Sequence, residues 1–279
     1  MQDYKMPERP QISNKGTFGK VINFAGSKNY IGAAYLSTLG ILKSGGGYAA
    51  LATDKNIIGT VSKLLPETVF LDAKDGLKNI NNYTVCLIGC GLGQDKKAVK
   101  LFNDVIKNVK CPLVIDADGL NILSQINLSL PDNTIITPHP MEASRLLCMP
   151  LSNIFDDTES AAKLLAVKYN CVAVLKTHRT VIATKDFIHI NQHGNSALAK
   201  AGSGDALSGI IAGLLAQKCS PFEAAKLGVY LHSRAGEIAS EELTEYSVLA
   251  SDIFNYLPKA IKEILWYKIK TSSNDLRLV

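Results

Sequence analysis

The sequence lacks most of the features that would set it apart from an ordinary globular protein. None of its six cysteines, Cys86, Cys90, Cys111, Cys148, Cys171 and Cys219, forms a CxxC pair, which argues against thiol–disulfide exchange and the usual zinc spacings. Most lie in apolar segments, where a reduced thiol behaves as a small hydrophobe. No apolar stretch approaches the length of a membrane span, and the opening MQDYKMPERP has no apolar leader core, so the expected compartment is the cytoplasm. Charge of one sign is not concentrated either. The 30 basic and 25 acidic residues leave a net +5, with a mild excess at Lys259, Lys262, Lys268 and Lys270 that fits a solvated helix face better than nucleic acid. Linkers, repeats and low-complexity runs are missing, so one domain over residues 1–271 is expected, with a loose tail at 272–279.

What is present is a βαβ rhythm. Short β-branched runs, VINFA (21–25), YAALA (48–52), TVCLIG (84–89), PLVID (112–116) and TIIT (134–137), alternate with helical patterns at 31–43, 56–65 and 96–109. A helix near 158–169 precedes CVAVLK (171–176), and TVIAT and FIHI suggest a small antiparallel addition. Helices are then expected over 204–217 and 221–240, the second opened by a Ser cap and a Pro in its first turn. The fold class is α/β: a central, mostly parallel sheet flanked by helices on both faces.

The chemistry concentrates in AGSGDALSGIIAGLL (201–215), where a glycine-rich turn feeds an apolar helix. Free backbone N–H groups and the positive end of the helix dipole converge there and suit an anion, which Gly202 and Gly204 allow to approach closely. Asp205 in the first turn would repel a bound phosphate, yet a base beside a transferred phosphoryl group is what proton abstraction needs. The blander alternative is an acidic residue that favours a helix start. No GxxxxGK[ST] occurs, which excludes a Walker loop, and the glycines of IGCGLG are spaced GxGxG, not as the GxGxxG expected of an NAD(P)-dependent oxidoreductase.

This segment resembles the nucleotide-site motif of the ribokinase-like superfamily, and NQHGNSALAKAGSGDALSG (191–209) resembles the ADP/ATP-dependent NAD(P)H-hydrate dehydratases in particular. IGAA (31–34), KSGGGYAALAT (43–53), LPE (65–67), IGCGLG (88–93), VIDADGLN (114–121), TPHPMEASRL (137–146) and VLKTHRTVI (174–182) look like that family's blocks in its order. The resemblance implies a hydro-lyase that repairs the hydrated nicotinamide of NADHX or NADPHX, using ADP or ATP with Mg²⁺ to phosphorylate the C6 hydroxyl before phosphate is lost. It implies Asp205 as the base, a nucleotide site at Lys176, Thr177, His178, Arg179, Thr180, Gly202, Ser203 and Gly204, and substrate contacts at Ala33, Gly91, Gly93, His139 and Asp205. His139, between two prolines just past a strand, is expected to present its imidazole to a phosphate or ribose.

Asp116 and Asp118 of IDAD stay open between a Mg²⁺-linked network and the end of a strand capping a helix, and no metal ligand is assigned. Four positions depart from the family pattern: Asn14, Met141, Thr177 and the pair Gln192–His193, with His193 expected as a solvated turn residue. Three rivals remain: a ribokinase-like kinase for a hydroxymethylpyrimidine, thiazole or pyridoxal substrate, a non-catalytic nucleotide-binding scaffold, and an oxidoreductase. Partners are expected to be small molecules, with neither nucleic acid nor membrane. The apolar helices of the last third suggest a homo-oligomer, dimer or tetramer, and the companion epimerase is expected on another chain.

Overall fold

The computed structural model describes residues 4–275, with side chains described as far as Trp266. The first half runs β1 (Lys20–Phe24), α1 (Ile31–Lys43), β2 (Tyr48–Thr53), α2 (Lys55–Val61), β3 (Val69–Asp72), α3 (Ala73–Lys78), β4 (Val85–Ile88), α4 (Lys96–Asn108), β5 (Leu113–Ile115), α5 (Asp118–Leu123) and β6 (Thr134–Ile136). The second half adds α6 (Pro140–Leu147), α7 (Leu151–Asp156), α8 (Thr158–Tyr169), β7 (Val172–Leu175), β8 (Val181–Ala183), β9 (Ile188–Ile190), α9 (Ser203–Ala216), α10 (Pro221–Ser247) and α11 (Ile253–Asp275).

Among the described residues these strands form one sheet in the order β3-β2-β1-β4-β5-β6-β7-β8-β9. All pairings through β7 are parallel, and β8 and β9 are added antiparallel, as TVIAT and FIHI suggested. Strand residues alternate between two cores. Val21, Leu87, Val114 and Val174 face α1, α9, α10 and α11, whereas Ile22, Ile88, Ile115 and Leu175 face the side of α4, α5, α6 and α8. Each such buried aliphatic side chain contributes about 1.5–3 kcal/mol relative to exposure.

Several elements depart from the expectation. β3 and α3 give no alternation to read, since β3 is a short edge strand whose residues are only partly covered. Helix α10 continues past Ser240 to Ser247, interrupted at Thr244 (φ 67°, ψ 153°). Helix α11 extends to Asp275, into the segment expected to be a tail, and residues 276–279 lie outside the described ones. All six cysteines are free thiols. Among the described residues no helix is long and apolar enough to cross a membrane.

Two features place the site. Strands β4, β5, β6 and β7 are neighbours, and their hydrogen bonding continues beyond the strands: Asp116 N–H donates to the Ile88 carbonyl (3.1 Å), Thr137 N–H to Ile115 (3.2 Å) and Lys176 N–H to Pro138 (2.8 Å). The segments starting at Gly89, Asp116, Thr137 and Lys176 therefore stand side by side at the carboxyl edge. The strand order also reverses between β1 and β4, which opens a crevice at that edge, the usual ligand position in open α/β sheets.

Candidate active site

Helix α9 enters this edge with its N-terminus. Gly202, at φ 89°, lets the chain turn into the helix, and a β-carbon there would sit 2.4 Å from Leu36 of α1. Lys200 accepts from the Ser203 amide and Gly202 from the Ala206 amide, so the orphan amides of the first turn lie between them, at Gly204 and Asp205. Lys176 lies directly against this turn, its Nζ 3.3 Å from the place a β-carbon on Gly204 would take. The combination of amide donors, dipole and ammonium is suited to an anion.

The carboxylate Asp116 is 1% exposed and fully engaged: Lys176 Nζ donates to Oδ1 (2.7 Å) and Ser208 Oγ to Oδ2 (2.6 Å). Neither acidic residue of IDAD caps α5 with its side chain; Asp118 instead accepts from Gly93 N–H (2.8 Å) and Gln94 Nε2 (2.9 Å), tying down the loop after β4. Gly89, at φ 122°, is required there because a β-carbon would lie 2.0 Å from the Asp116 carbonyl oxygen, which explains the first glycine of the GxGxG run by packing. Gly91 packs on α1, a β-carbon on it falling 2.8 Å from that of Ala33, so two of the residues proposed to hold substrate adjoin each other.

Asp205 is half-buried, and its carboxyl is pushed up to about 6, chiefly by burial and then by repulsion from Asp116. Near neutral pH it is ionised yet basic enough to accept a proton, as a general base should be. Lys176 stays charged: burial works against its ammonium, but Asp116 and Glu142 outweigh it and raise its pKa. Glu142 is itself buried, which pushes it up to about 7.

His139 does not dangle in a loop; it is the N-cap of α6. Its Nδ1 accepts from the amides of Met141 (3.1 Å) and Glu142 (3.3 Å), while Glu142 accepts from the His139 amide (2.8 Å). That reciprocal box leaves the proton on Nε2, which lies 3.3 Å from Glu142 Oε1. Burial and then Lys176 lower the imidazole's pKa, so the residue is neutral and offers a ligand a donor.

A cavity of about 770 Å³ opens beside the α9 turn. All of Lys176, Thr177, His178, Arg179 and Thr180 line it, with Ser203, Gly204 and His139, whereas Gly202, Ala33, Gly91, Gly93 and Asp205 do not. Thr180 turns inward, donating to the Thr177 carbonyl (3.2 Å), which shapes the loop. His193 is better anchored than a solvated turn residue: it meets the Tyr230 ring edge-on at 5.0 Å and lies 3.4 Å from Glu237, whose other oxygen accepts from Gly194 N–H (2.6 Å). Sequence reasoning missed Ser208, Glu142, Cys90 and His232, the last buried, pushed down to about 4 by that burial, and 3.1 Å from Ser203 Oγ. The signal available was that Asp116 and Lys176 both follow strands of a parallel sheet.

Cys90 Sγ and oxygens of Asp116 and Asp205 lie within 4.8 Å of one another, a spacing that could suit a cation. The donor set does not fit one held permanently. Mg²⁺ takes oxygen, the buried Cys90 thiol is held protonated, and both Asp116 oxygens are already used, one by an ammonium that would repel the ion.

Known proteins resemble this chain in sequence and in fold over most of its length. The family model for NAD(P)H-hydrate dehydratase matches residues 21–259. The chain is 34% identical over 264 residues to the ADP-dependent (S)-NAD(P)H-hydrate dehydratase of Bacillus subtilis, covering 92% of this chain and 94% of that one. It is 35% identical to the bifunctional NAD(P)H-hydrate repair enzyme of Thermofilum pendens, covering 93% of this chain but only 53% of that one, so it spans about half the length of such relatives. The crystal structure of the ADP/ATP-dependent NAD(P)H-hydrate dehydratase of Bacillus subtilis, co-crystallised with ATP and Mg²⁺, superposes with a TM-score of 0.85 at 33% identity, covering 93% of this chain and 94% of that one. With the match extending from the first strand into the last helix and taking in Asp205, Lys176 and the glycine-rich turn, the chain belongs to the NAD(P)H-hydrate dehydratase family.

Proposed function

We propose that this chain dehydrates the (S) form of hydrated NADH or NADPH in a reaction driven by ADP or ATP. The observation that carries the reading is the half-buried Asp205 carboxylate in the first turn of α9, where free amides and Lys176 Nζ form an anion site. Asp205 takes the proton of the C6 hydroxyl as that oxygen attacks the terminal phosphorus, and the bond to the leaving nucleotide breaks, releasing ADP from ATP or AMP from ADP. The C6–O bond then breaks with its electron pair on phosphate, the ring nitrogen supplies electrons, and loss of a C5 proton restores the dihydropyridine. The amides of α9 and Lys176 hold the phosphoryl charge, and the 770 Å³ cavity lined by Lys176 to Thr180, Ser203 and Gly204 takes the nucleotide.

Gly202 supports this site from behind the wall, as the hinge that aims the helix. Ala33, Gly91 and Gly93, in the crevice between β1 and β4, and the Nε2–H of His139 are proposed to contact the hydrated dinucleotide. Mg²⁺ enters as the partner of the nucleotide, a reading consistent with the solved relative crystallised with ATP and Mg²⁺. We further propose a cytoplasmic homo-oligomer, dimer or tetramer, linked in function to an epimerase; some relatives are bifunctional repair enzymes roughly twice as long. The test is to mix enzymatically hydrated NADH, Mg²⁺ and ATP or ADP with the protein and watch the dihydronicotinamide absorbance. Its return with release of inorganic phosphate is expected, and Asp205→Ala should lower turnover by about two orders of magnitude or more. Phosphate retained on a small alcohol, with no returning absorbance, would point to a kinase and overturn the reading.

A further inference from the structure

One buried group in the cluster has no part in the reaction above. Cys90 is fully enclosed, and its place is fixed from both sides: Gly26 N–H donates to its carbonyl (2.8 Å), and it stands between Gly89 and Gly91, both at positive φ. Its Sγ donates a long hydrogen bond to Asp116 Oδ2 (3.9 Å) and lies, with an oxygen of Asp205, inside the same 4.8 Å cluster, so a turn about the Cα–Cβ and Cβ–Sγ bonds brings the same proton to either carboxylate. Asp116 Oδ2 already accepts the shorter bond from Ser208 (2.6 Å), whereas among the described residues the Asp205 carboxylate accepts no hydrogen bond from another side chain. The proton of a neutral thiol between two carboxylates is best used by the less satisfied one.

We propose that Cys90 is a positioning residue for the base: its S–H leans toward the Asp205 carboxylate, holding it apart from Asp116 and setting how readily it takes a proton. This rests on the reading of Asp205 as the base. The other groups acting on Asp205 are Asp116 and Asp118 beyond β5 and Lys176 beyond β7. Glu142 and His139 of α6 reach it through Lys176, α10 brings the neutral His232 against Ser203, and α1 meets this end of α9 with apolar Leu36. Of these, Cys90 is the one uncharged donor from outside α9 beside the carboxylate, and a hydrogen bond from its thiol favours the ionised form.

The test is a direct titration of the Asp205 carboxyl carbon in protein labelled at aspartate, assigned with Asp205→Asn, in the wild-type chain, Cys90→Ala and Cys90→Ser. Removing the donor in Cys90→Ala should raise the titration midpoint by about half a pH unit or more, and the hydroxyl of Cys90→Ser should keep it at or below the wild-type value. Cys90→Val, which fills the volume without a donor, serves if the alanine variant does not fold. An unmoved midpoint in Cys90→Ala, or one raised equally in Cys90→Ser, overturns the proposal. The acid limb of kcat/KM should follow the carboxyl titration where turnover is measured. Failure of the dehydration assay would leave this titration to decide the role of Cys90 by itself.

Discussion

Asp205 carries a proton at a higher pH than a solvated aspartate because burial and the nearby Asp116 both penalise its charge, moving it from 3.8 to about 6. Since the base must be ionised, kcat/KM should fall below about pH 6; a profile flat to pH 5 would separate Asp205 from the proton transfer. The same shift has a stability consequence. A raised folded-state pKa means that the stabilising contribution of protonated Asp205 is complete below pH 3.8 and is lost as pH rises through about 6. Asp205→Asn should therefore be more stable than the wild type at pH 8 by about 1–2 kcal/mol, with the gap closing toward pH 4, as denaturant titrations at the two pH values would show. Lys176 has the opposite character. Lys176→Met leaves Asp116 charged and 1% exposed, and should cost about 3–5 kcal/mol, part of which Asp116→Asn should restore in the double variant. Asp205 was legible in the sequence because a glycine-rich turn before an apolar helix has a fixed electrostatic meaning. Asp116 was not, because its partner lies 60 residues further along the chain and only the sheet brings the two together. Cys90 read as a small hydrophobe, which its burial justifies and its neighbours do not.

Elements transmit that precision through close contact between α1 and α9. A β-carbon on Gly209 would lie 2.0 Å from the Ser37 carbonyl oxygen, and one on Gly213 would lie 2.1 Å from Ser44 Oγ, so the two helices meet almost backbone to backbone. The N-terminus of α9 is aimed at the strand ends by this seam. Gly209→Val cannot be accommodated by a rotamer change because the obstacle is main chain; it should cost about 3 kcal/mol or more and reduce turnover even in the folded fraction. Thermal unfolding with single-turnover assays would check this, and unchanged values for both would mean that the seam does not aim the base. The ends of α1 were readable because its periodic apolar residues start and stop sharply, and α9 was readable from its unbroken apolar run. The edge strand β3 was not, since partly covered residues carry no alternation, and neither was the break in α10, where Thr244 takes a backbone conformation no sequence rule assigns to threonine. His139 was placed correctly after a strand, but its role as the cap of α6 depends on which ring nitrogen faces the helix, which spacing does not encode.

At the scale of the whole molecule, the site draws on β4, β5, β6 and β7 and on helices from both faces of the sheet, so a ligand held there braces the centre of the sheet and both helical layers at once. Nucleotide should then raise the temperature of a single unfolding transition. A ligand at about one hundred times its Kd stabilises by about 2.7 kcal/mol, which for a chain of this size corresponds to about 5 °C. The expectation separates binding from chemistry. On the proposed reading Asp205 sets a negative charge beside the phosphates, so Asp205→Asn should keep the full nucleotide-induced shift or enlarge it while turnover collapses. Charge neutralisation at Arg179, which lines the cavity, should shrink the shift and leave the protein's unliganded midpoint nearly unchanged, because Arg179 is exposed and forms no side-chain ion pair among the described residues. Calorimetry on the three proteins with and without Mg²⁺ and ADP decides between the roles: a shift abolished in Asp205→Asn would make that carboxylate part of the nucleotide's grip, and the proton-transfer step would need another base.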